Sequence, residues 1–142
     1  MANLDPLIRI RKHALEQKQK FLAELYRQAE ELAQQKSDML ATLAEERKTV
    51  EEMGALALGY FGRYSEAVRG RVEDIEDSLK KLNQRIEIAR DDMREAFAEM
   101  KKIEITQDKR KADEKRARDK KESDLLDEIA IEGFRRKVDT EQ

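Results

Sequence analysis

Apolar residues recur along this chain at the spacing of a helix seam, and they do so in two long runs. In the first, a heptad can be written with Ile8, Leu15, Leu22, Ala29, Lys36, Leu43 and Val50 at a, and Leu4, Arg11, Lys18, Leu25, Leu32, Met39, Glu46 and Met53 at d. Eleven of these fifteen are apolar. A repeat held over seven heptads argues for a coiled-coil seam. Ala14, Phe21, Tyr26, Ala33 and Leu40 widen the stripe. Asp5-Pro6 reads as its start, an N-cap type followed by proline at the first helical position.

The second run has Val72, Leu79, Ile86, Met93 and Met100 at a, with Ile75, Leu82, Ala89, Ala96 and Ile103 at d, all apolar. It then turns polar through Gln107, Arg110, Glu114, Ala117 and Lys121. A last apolar patch returns in shifted phase with Leu125, Leu126, Ile129, Ala130, Phe134 and Val138. No proline follows Pro6, so the helix can run on to about residue 137.

Between the runs lies Met53–Arg71, which holds Gly54, Gly59, Gly62 and Gly70, four of the five glycines, and three of the seven aromatics. Glycine costs a helix interior about 1 kcal/mol relative to alanine, so the cluster predicts a break. The expected fold is all-α, a long antiparallel two-helix coiled-coil hairpin in one domain over 1–142. Helix 1 is expected over about 5–57, a tip over about 58–66 and helix 2 over about 67–138, with a C-terminal overhang. Folding the seams together with facing residue numbers summing to about 125 centres the tip near Phe61 or Gly62. It sets Leu43 on Leu82, Leu25 on Met100 and Arg11 opposite Glu114, and residue 5 near 120. A sum of 118 is the alternative, and leaves Lys18 against Met100. At about 1.5 Å per residue, the first helix is expected to be a rod of roughly 75 Å.

Composition agrees. Charged residues make up 44% and aromatics 5%, with no tryptophan, which is coiled-coil usage rather than that of a packed globule. There is no cysteine, so disulfides and thiolate metal sites are excluded. No stretch approaches the roughly 20 apolar residues of a membrane span, and no signal-peptide pattern opens the chain; a soluble, cytoplasmic protein is expected. Net charge is −2 but uneven: residues 101–121 carry 10 basic and 5 acidic side chains, residues 122–142 carry 3 and 7.

Chemistry is sparse. Gly54 and Gly59 have the spacing of a phosphate loop, but Tyr60 and Phe61 stand where lysine and a hydroxyl residue are needed. His13 is the only histidine and has no ligand-type neighbours at helical spacing. Carboxylate pairs such as Glu45/Glu46 and Asp91/Asp92 read as solvated faces, so neither enzyme nor cofactor nor small-molecule substrate is expected. The basic block 109–121, with Lys109, Arg110, Lys111 and Arg116, is interleaved with Asp113, Glu114 and Asp119 and lacks aromatics for base stacking. It reads as an ion-paired helix face or a site for an acidic protein surface, with nucleic acid a further alternative. Tyr60, Phe61 and Tyr64 are either partner anchors or a cap packed on Leu56 and Leu58.

This layout resembles the FliJ family of flagellar export proteins, and is similar to the YscO-type stalk proteins of virulence secretion systems. The resemblance is carried by Gln107-Asp-Lys-Arg, Lys120-Lys-Glu-Ser-Asp-Leu-Leu-Asp-Glu-Ile-Ala, Phe134-Arg-Arg-Lys and Tyr64-Ser-Glu-Ala-Val-Arg. It implies a non-enzymatic stalk or escort protein with no cofactor, which links the hexameric export ATPase and its regulator to the membrane export gate and handles export chaperones. It also implies a cytoplasmic protein peripherally associated with the inner membrane at the flagellar base. On this resemblance the base, with Lys109, Arg110, Lys111, Arg116, Leu126, Ile129 and Phe134, is the candidate ATPase contact. The tip residues Tyr60, Phe61 and Tyr64 are the candidate gate contact. The family's gate surface has aromatics on both helices beside the tip; here the outgoing side has Leu43 and Val50 instead. The competing class is a structural coiled-coil scaffold or spacer that dimerises through its seam.

Overall fold

The computed structural model describes residues 3–141. Helix α1 spans Asp5–Met53 and helix α2 spans Ala55–Glu141, packed against each other with no strand among the described residues. This is the expected all-α helical hairpin.

The helices are joined by one residue. Gly54 has φ +105°, a conformation that L side chains rarely adopt, and it alone among the described glycines does so. Its carbonyl accepts the Leu58 N–H at 3.2 Å, so the residue that ends α1 also opens α2. At the chain's start Asn3, not Asp5, supplies the cap: its Oδ1 accepts the Asp5 N–H at 3.0 Å.

The tip expected over 58–66 is therefore helix. Gly59 and Gly62 lie within α2, and Phe61 and Ser65 are half-buried seam positions that lead into buried Val68. A hairpin link needs one left-handed residue, not a cluster, and a glycine's propensity cost is small beside the packing of the seam around it.

Two compact units make up the chain: one comprises Arg11–Phe97, the other the segment to Ile10 with the segment from Ala98. In the first unit Leu22 and Leu25 of α1 meet Leu82, Ile86 and Ala89 of α2, with Ala29, Leu32 and Met93 against them. Leu25 is 1% exposed, and truncating such a leucine to alanine costs about 2–5 kcal/mol. Lys36, a polar a position, binds Glu76 at 3.0 Å, which makes its half-buried charge tolerable.

That ion pair corrects the register. Facing residue numbers sum to 112 (36 with 76), about two heptads short of the expected 125 and about one short of 118. A heptad seam repeats itself on sliding by seven, so its apolar pattern cannot choose among these registers; the link at Gly54 chooses. Arg11 and Glu114, expected as a buried pair, are both exposed.

In the second unit Met100 and Gln107 are buried. The Gln107 Nε2 donates to Asp5 Oδ1 at 2.6 Å, so residue 5 meets residue 107 and not 120. The overhang is correspondingly longer than expected, with every residue of 108–140 exposed.

Candidate functional site

Two regions hold the residues singled out by sequence. The first lies just after the turn. One helical turn separates Phe61 from Tyr64, and their rings sit 6.2 Å apart at a tilt of 45°. With Tyr60 and Ala57 of α2, and with Glu46, Thr49 and Val50 of α1, they line an open apolar groove of about 410 Å³. Tyr60 is 69% exposed, Tyr64 partly so, and Phe61 is half-buried. The three aromatics are thus brought together, but along the side of the hairpin rather than at its turn. Phe61 is half-buried toward the seam while Tyr60 faces out, and Leu56 and Leu58, the expected partners of a cap, are both exposed.

Glu46 was not among the sequence candidates. Its carboxylate hydrogen-bonds the Tyr64 hydroxyl and raises that phenol above its ordinary value, with partial desolvation adding to the effect. A carboxylate at a d position was the available signal, since a charge on a seam needs a partner. Tyr64 also walls a smaller hollow of about 200 Å³ with Asp38, Met39, Thr42, Val68 and Arg71. Such a groove suits an apolar side chain of a partner, with a carboxylate and a phenol at its edge for a polar or basic neighbour.

The second region is the exposed part of α2. Lys109, Arg110, Lys111, Arg116, Leu126, Ile129 and Phe134 all lie on it. Arg116 reaches Asp113 at 3.8 Å, an i,i+3 pair on the solvated surface that contributes little. Leu126 and Phe134 are 65% and 69% exposed. At about 100° per residue the basic side chains point in several directions, so they form a positive sleeve rather than a stripe.

Elsewhere the electrostatics are those of helix faces. The Arg27 guanidinium bonds Glu24 at 2.7 and 3.0 Å and Glu31 at 3.1 Å, and the Glu24 carboxyl is lowered to about 2 by the Arg27 bonds first and Gln28 next. Asp5 is lowered chiefly by its Gln107 bond. Among the described residues no group of three or more His, Cys, Asp or Glu side chains is placed to hold a metal ion, and no helix is long and apolar enough to cross a membrane.

Comparison with known proteins gives one finding. A family model described as "Flagellar FliJ protein" matches residues 1–139. No curated protein and no solved structure matches the chain.

Proposed function

Since the chain belongs to the flagellar FliJ protein family, and so is a component of the flagellar export apparatus, we propose that it is the stalk and escort protein of that apparatus. In this reading the unit that contains the exposed α2 extension binds the hexameric export ATPase and its regulator. The groove of Tyr60, Phe61 and Tyr64 contacts the membrane export gate, and export chaperones are handled from the same protein. It works in the cytoplasm, peripherally associated with the inner membrane at the flagellar base.

The observation that supports this most is the exposure of 108–140. A helix with a positive sleeve and then uncovered Leu126, Ile129 and Phe134 offers both long-range attraction and apolar anchors to a partner. It contributes little to its own unit's core, so its sequence is free to serve that partner.

The test is a pull-down with two chains. A chain ending at Arg110 loses the ATPase and keeps the gate protein. A full-length Tyr60→Ala chain keeps the ATPase and loses gate affinity at unchanged helicity. ATPase capture by the truncated chain at the full-length level refutes the assignment.

A further inference from the structure

The exposed end of α2 is complementary to itself. At about 100° per residue, Leu126, Ala130, Phe134 and Val138 climb one row of the helix, each four residues after the last. Leu126, Ile129 and Phe134 are 65%, 59% and 69% exposed. Glu132 falls on the opposite side of the helix from that row, and Asp127 and Lys137 flank the row near its two ends.

Charge changes sign along the same segment. Asp124, Asp127 and Glu128 precede the middle of the row, and Arg135, Arg136 and Lys137 follow it. A second helix of this sequence laid parallel would set acid beside acid and base beside base. Laid antiparallel, it sets Asp127 of each copy beside Lys137 of the other, at both ends, and apolar against apolar between them. It also sets Phe134 over Ala130 and Leu126 over Val138, large against small, as interdigitating helices require.

We propose that the occupant of this face is a second copy of the chain, bound antiparallel about a two-fold axis passing near Ile131 and Glu132. Such an isologous contact closes on itself and cannot propagate. The segment from Glu122 to Asp139 makes only about five helical turns, a small patch by the standard of permanent dimers, so association is concentration-dependent. Taken with the ATPase contact proposed above, on which this one consequence rests, the paired form covers Leu126 and Phe134 and is a reserve state that the ATPase must open.

The absence of cysteine makes the geometry directly testable on the full chain. Sedimentation equilibrium of the wild-type protein shows a reversible monomer–dimer equilibrium. Phe134→Glu weakens it at least tenfold at unchanged helicity. A chain carrying Arg135→Glu, Arg136→Glu and Lys137→Glu associates poorly with itself, and does so strongly with one carrying Asp124→Lys, Asp127→Lys and Glu128→Lys. Under mild oxidation Ile131→Cys cross-links two copies, whereas Ser123→Cys does not. A wild-type chain that stays monomeric, self-association indifferent to Phe134→Glu, or equal cross-linking at 123 and 131 overturns the proposal. None of these outcomes depends on whether the ATPase binds here.

Discussion

Gly54 is the residue on which the fold turns. Its φ of +105° is one that a Cβ makes costly, while no side-chain crowding surrounds it. Gly54→Ala is expected to destabilise the protein by about 1–2 kcal/mol, through backbone strain alone. Gly62→Ala has the opposite sign. Gly62 is helical with open space at its Cβ, and alanine there should stabilise by about 1 kcal/mol. Equilibrium denaturation of the two variants distinguishes a turn at 54 from one near 62, and equal destabilisation by both contradicts the one-residue link. Asp5 makes a second prediction at this scale. Its carboxyl is held below the ordinary value of 3.8 mainly by the Gln107 amide. A depressed folded-state pKa means stability that is present above the unfolded value and lost as pH falls through the folded one. Asp5→Asn should therefore be less sensitive than wild type to acid below about pH 3.8, and superimposable pH–stability curves contradict the role given to this bond.

At the scale of the helices, sequence and structure agree on the seams and part at the turn. Many heptad positions named from the pattern face inward: Leu15, Leu22 and Leu25 on α1, and Val72, Ile75, Leu82, Ile86, Ala89 and Met100 on α2, are buried, while Arg11, Lys18 and Met53 are exposed. Burial at helical period is a local property and is written in the order of residues. Register is not local. Sliding by a heptad keeps every apolar contact apolar, so the choice falls to the link, and four clustered glycines gave the link four candidates. Propensity pointed to the middle of the cluster, whereas the stereochemical requirement singled out its first member. Phe61 and Ser65 carried a usable signal, because with Val68 they continue the a/d phase of Val72 and Ile75 backwards into the stretch read as a tip. Of the candidate sites, the exposure of Leu126, Ile129 and Phe134 was legible from their shifted phase. The partnership of Glu46 with Tyr64 was not, since it depends on the register.

At the scale of the whole molecule, the proposed function rests on what each unit leaves uncovered. The unit built on Arg11–Phe97 closes its seam around Leu25 and leaves an apolar groove beside Tyr60 and Tyr64. The other unit is held by Asp5 on Gln107 and leaves residues 108–140 open. Membership of the flagellar FliJ family makes these two surfaces the places to look for export partners. Both positions are consequences of a single link and a single register. Spin labels in the cysteine-free chain measure that register most directly, at Lys36→Cys with Glu76→Cys and, separately, at Lys36→Cys with Arg90→Cys. The Lys36–Glu76 contact predicts a short distance for the first pair, with the second longer by more than about 10 Å, because position 90 lies about 20 Å further along the helix, the rise of two heptads. A shorter distance for 36 and 90 than for 36 and 76 would contradict the turn at Gly54 and both surfaces derived from it.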